Sequence, residues 1–98
     1  MRQSYPLVLE TIRARARSLA LTWTPRAFQK LVSSPFDDED IQRVIATARI
    51  AGVLHENPGT SYVLEGTATE DRLVGLGCRL LRNRVQIEDV LWDYDRAP

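Results

Sequence analysis

Ninety-eight residues, 44% of them apolar, describe a single domain with one core and exclude a two-domain enzyme. Thirteen basic residues balance thirteen acids, which argues against a strongly electrostatic nucleic-acid binder. No apolar run approaches the roughly 18 residues of a membrane helix, and no leader pattern opens the chain, so the expected address is the cytoplasm with no membrane partner.

Pro6 opens the first periodic segment, and Leu7, Leu9, Ile12, Ala16 and Leu19 recur at near-helical spacing, which predicts a helix over about 6–17. Arg13 and Arg17 share one face of it and Arg15 points away, so this is a basic helix with a modest apolar stripe. The alternation from Leu19 to Trp23 reads as a short strand, with Trp23 a core anchor. Thr24 followed by Pro25 is an N-cap with proline at the first helical position, opening a helix over 25–32 that Ser33, Ser34 and Pro35 end. Asp37 or Asp38 caps the next helix, whose Ile41, Val44, Ile45 and Ala48 repeat at helical spacing. The acids from Asp37 to Asp40 point in different directions from one helical turn, so they read as helix-start chemistry and not as a metal cluster.

From residue 50 the period changes to two. Gly52 is expected to stop the third helix, Val53 to Glu56 to form a short strand, and Asn57, Pro58 and Gly59 to make a turn. Strands follow over 61–67, 72–81 and 84–92, joined by a polar link at 68–71 and a tight turn at Arg82 and Asn83, which predicts an antiparallel meander. Val74, Leu76, Cys78 and Leu80 fall on one face of the longest strand, and Gly75, Gly77 and Arg79 on the other, where the two glycines leave a shallow patch. Cys78, alone and in an apolar run, reads as a small buried hydrophobe. The fold class is therefore α+β, with two or three N-terminal helices packed on one face of a three- to four-stranded antiparallel sheet.

Charge is unevenly spread. Residues 1–30 carry a net +5, residues 31–71 a net −6 and the remainder +1. Twelve of the thirteen cations are arginine, whose planar fork suits phosphate and carboxylate, although a GC-rich coding sequence produces the same bias. No glycine-rich phosphate loop, metal-ligand pair or Ser-His-Asp arrangement is visible, so no metal or cofactor is expected. Trp92 and Tyr94 lie among Asp93 and Asp95, acids that repel phosphate and favour protein contacts over base stacking.

Three pieces in order resemble the domain-of-unknown-function 4258 family of small bacterial proteins, grouped with RelE-like and BrnT-like toxins in the barnase-like ribonuclease superfamily. They are Leu9-Glu10-Thr11-Ile12-Arg13, then Leu21-Thr22-Trp23-Thr24-Pro25-Arg26 leading to Asp38-Glu39-Asp40-Ile41, then Tyr62-Val63-Leu64-Glu65-Gly66 with the strands through Val90. The resemblance implies a RelE- or barnase-like domain over 1–98, a bacterial or phage protein, association with RNA or a ribosome, and an antitoxin or other protein partner. It also exposes departures: Thr24 stands at the position of the family's histidine, Pro25 at that of its alanine, and Phe28 at that of an arginine. Ribonuclease chemistry needs groups that move protons near neutral pH, and threonine does not. A ribonuclease activity, if any, is thus expected to be weak or lost. A substitute set is conceivable in His55, Glu65 and Arg79 over one sheet surface, as base and charge stabiliser, with Arg13, Arg17, Arg26 and Arg72 forming a nucleic-acid or partner surface. The competing expectations are an exposed strand-end His55 and a cross-strand charge pair between Glu65 and Arg79 or Arg72. The rival functional reading is a non-catalytic protein-binding module, such as a phage inhibitor or regulatory partner.

Overall fold

The computed structural model describes residues 5–55 and 59–92, with helices α1 (Tyr5–Arg17), α2 (Pro25–Val32) and α3 (Asp38–Thr47) and strands β1 (Leu21–Trp23), β2 (Arg49–His55), β3 (Thr60–Thr67), β4 (Leu73–Leu80) and β5 (Val85–Trp92). The expected turn residues Asn57 and Pro58, with Glu56, and the aromatic Tyr94 lie outside the described residues.

Local chemistry starts two of the helices. The Thr24 hydroxyl accepts the Ala27 N–H and Pro25 needs no donor at its position, which opens α2. Asp37 accepts the Asp40 N–H while Asp40 accepts the Asp37 N–H, a reciprocal capping box that opens α3. Asp40 also accepts from the hydroxyl and N–H of Thr69, which pins the 3-10 turn between β3 and β4 (Thr69–Asp71) to the start of α3.

The class is α+β, but the sheet corrects the expectation of three or four antiparallel strands. It has five strands in the order β1-β5-β4-β3-β2 and is mixed. β2 to β5 form the antiparallel meander, whereas β1 pairs parallel to β5, with Leu21, Thr22 and Trp23 opposite Val85, Gln86 and Ile87. The connection through α2 and α3 returns the chain to the far edge, so β1 runs with the last strand instead of starting a hairpin. β1 is also shorter than its alternation implied. Leu19 and Ala20 belong to the end of α1: the Ala20 N–H donates to Arg15 O and the Leu19 N–H to Ala16 O, the two bonds of a Schellman motif.

Gly52 does not end α3. It lies inside β2, and α3 gives way to extended backbone at Ala48. The reason comes from another helix: Arg13 of α1 donates through Nε to Ile45 O (3.0 Å) and through Nη2 to Ala48 O (2.7 Å), occupying terminal carbonyls of α3.

α3 lies on β3 and α1 against α3, on one face of the sheet. The core between them includes Ile12, Ala16, Ile41, Val44, Ile45, Leu64, Val74, Leu76, Cys78, Val85, Ile87 and Val90. α3 comes close to the sheet at Gly66, where a Cβ would run into the Val44 carbonyl. α2 packs instead against β5 and β1 at the opposite edge. Cys78 is fully buried, and burial, helped by the charge of Glu88, pushes its thiol up to about 12, as fits an inert apolar filler.

Candidate functional site

The conceivable trio of His55, Glu65 and Arg79 does not assemble. His55 pairs with Thr60, two positions from the buried Tyr62, so the strand's alternation puts it on the helix-side face. Arg79 lies opposite Ser61 and Glu65 opposite Gly75, on the other face and roughly 13 Å apart along β3 at ~3.3 Å per residue. His55 is exposed, with Nδ1 3.5 Å from the Thr60 hydroxyl. Glu65 meets Arg49 of the adjacent strand at 2.6 Å, and Arg79 donates from Nε to Glu88 at 3.0 Å. Both are charge pairs between neighbouring strands, with partners other than those the sequence led one to expect.

A bulge in β5 creates the Arg79 pair. Gly77 is opposite Asp89 but Cys78 is opposite Ile87, so Glu88 is the extra residue, and two successive acids share the face away from α1 and α3. Glu88 accepts from Arg79, Gln86 and Ser61. Burial pushes its carboxyl up, but these hydrogen bonds and the Arg79 charge outweigh it and hold the carboxyl below the usual carboxylate range. Asp89 takes Lys30 of α2 at 2.7 Å and Arg26 at 3.7 Å.

Of the four arginines expected to face a nucleic acid or partner, Arg13 and Arg72 are employed within the fold, whereas Arg17 and Arg26 are exposed. Arg13 closes α3, and Arg15 donates to Leu81, Arg82 and Arg84 carbonyls, clasping the turn between β4 and β5. Arg72 stacks over Phe36, its guanidinium carbon 5.0 Å from the ring centre. Arg17 is exposed, and with Arg13 and Arg49 it borders a groove of about 550 Å³ between α1 and β2, which also holds Glu10.

A second concavity escaped the sequence. Leu21 and Trp23 are register partners of the fully buried Val85 and Ile87, so they face the helix layer, yet both stay half-exposed because α3 packs over β3 and leaves β1 partly covered. With Ile41 they floor a cleft of about 270 Å³, with Leu19 at its mouth and Asp38 and Glu39 on its rim. Gln42 fixes its inner wall by donating to Ala16 O of α1. Trp23 is thus a cleft residue as well as a packing one. Leu19 is 82% exposed and sits at φ +61°, a left-handed conformation that glycine usually takes at this position of a Schellman motif. The one signal in the sequence was the lack of a glycine after Ser18.

Among the described residues, no three His, Cys, Asp or Glu side chains gather to hold a metal ion, and no helix is long and apolar enough to cross a membrane. No protein-family model, curated protein or solved structure matches the chain.

Proposed function

We propose that this chain is a non-catalytic protein-binding module on a scaffold of the RelE- or barnase-like kind. The observation that carries this reading is the disposition of its charges. Arg13, Lys30, Arg72 and Arg79 are each held by a carbonyl, a carboxylate or a ring, and the exposed cations Arg17, Arg26, Arg43, Arg49, Arg82 and Arg84 are spread over several elements, whereas Asp38 and Glu39 stand exposed side by side at an apolar cleft without an ion-pair partner among the described residues. Cations so engaged contribute little to phosphate binding, and unengaged acids repel it. Thr24, at the position of the family's histidine, is occupied as the cap of α2, which supports a scaffold that has given up proton transfer. Affinity purification of the tagged chain with RNase treatment tests the reading. A stoichiometric, RNase-resistant protein partner is expected, and co-purifying RNA with no protein partner would overturn it.

A ribonuclease or ribosome-dependent toxin is the second reading, and the groove where Arg13, Arg17 and Arg49 meet favours it. It requires growth arrest on expression and RNA cleavage with or without ribosomes, both reduced by Arg17→Ala at the border of that groove.

A further inference from the structure

We propose that the cleft between β1 and the start of α3 is a docking site for a partner segment that presents one apolar side chain flanked by lysine or arginine; this rests on the protein-binding reading above.

The floor of Leu21, Trp23 and Ile41 is apolar, and the open volume of about 270 Å³ falls just below the range of pockets that enclose whole small molecules. It suits a single anchoring side chain, the usual centre of a protein-protein hot spot, and Trp23 supplies the aromatic wall such centres favour. The rim selects the flanking charge. Asp38 and Glu39 are both exposed, and Asp37 and Asp40 add two further negative charges at the same helical turn, against the single positive charge of Arg43 one turn on, so the rim stays net negative. That field repels phosphates and acidic segments and attracts cations. A short segment with an apolar residue between basic ones meets floor and rim together.

The backbone under Leu19 supports a role for its side chain. The left-handed conformation favours glycine, yet a leucine stands there with its side chain in water at the mouth of the cleft. Contact with an occupant would remove that surface from solvent.

A random-peptide display library panned on the intact chain, with counter-selection on Leu19→Gly, tests the assignment. Glycine accepts the backbone at this position, so that variant keeps the fold while losing the apolar contact. Enriched peptides are expected to combine an aliphatic or aromatic residue with neighbouring lysine or arginine. Their synthetic forms should shift the emission of Trp23, measured in a Trp92→Phe background, and bind about tenfold more weakly to the Asp38→Asn, Glu39→Gln double variant, which equals about 1.4 kcal/mol. Absence of enrichment, enrichment of acidic peptides, or equal binding by the variants overturns the proposal. So does concentration-dependent self-association of the chain that Leu19→Gly abolishes, since the occupant is then a second copy. An RNase-resistant partner retained by both variants overturns the cleft assignment and leaves the protein-binding reading standing, whereas loss of any protein partner from the unaltered chain ends that reading itself.

Discussion

Arg79 on β4 reaches Glu88 on β5 diagonally, Nε to Oε2 at 3.0 Å, because a bulge turns Glu88 onto the face that Arg79 occupies. The guanidinium that sequence reasoning placed at a reacting phosphate is thereby tied to a carboxylate, with about a fifth of its side chain exposed. A one-residue change in register thus converts a candidate catalytic group into part of the sheet's own polar network.

The same contact predicts how stability depends on pH. Burial opposes ionisation of Glu88, but hydrogen bonds from Arg79, Gln86 and Ser61 prevail. Asp40 is likewise held low, first by the Thr69 hydroxyl and then by the Asp37 N–H. With both carboxyls depressed in the folded chain, the unfolded chain binds more protons. Their contribution is therefore complete above about pH 5 and is lost as pH falls through the folded values. Denaturant melts at pH 7, 5 and 3 should show stability dropping over the acid interval, and Glu88→Gln should shrink the drop. An unchanged acid slope in that variant would contradict the assignment.

Arg13 provides a test of whether the basic helix is a working surface or a structural clamp. Its two bonds to Ile45 O and Ala48 O are charge-assisted and partly buried, so Arg13→Ala should cost about 2 kcal/mol of unfolding free energy. A solvated arginine would cost no more than about 0.5 kcal/mol. Arg17→Ala, at an exposed position, serves as the control and should fall within that smaller range.

Gly66 marks a close approach of helix to sheet. A methyl group there meets the Val44 carbonyl, a backbone atom that cannot move without shifting α3, so Gly66→Ala should destabilise the chain by about 3 kcal/mol. Thermal melting of the variant beside Gly52→Ala supplies the comparison, because a Cβ at Gly52 meets only ordinary van der Waals contacts with Val63. Equal losses at the two sites would mean that the close approach is not what fixes Gly66.

Leu19→Gly should stabilise the fold by about 1 kcal/mol, the strain of a left-handed leucine less the extra freedom of glycine in the unfolded chain. Its midpoint in denaturant should rise with little change of slope. A fall in stability would show that Leu19 packs usefully on its neighbours in the free protein.

The sequence by itself determined the features whose chemistry closes within a few residues. Thr24 and Asp37 cap their helices through atoms three positions away, and the alternation in β3 and β4 assigns Leu64, Val74, Leu76 and Cys78 to the core face without reference to the rest of the chain. Tertiary structure decided what depends on distant partners. The end of α3 is closed by Arg13, more than thirty positions back, so nothing near Gly52 could have announced it. β1 gains its direction and its neighbour only by reaching β5 across the intervening fold, and three residues carry too little pattern to reveal a parallel pair. The bulge at Glu88 re-pairs Arg79, and the partial cover over β1 opens the cleft at Leu19 and Trp23. Charge and register act through space, and a one-dimensional period records only which face a residue takes on its own strand or helix.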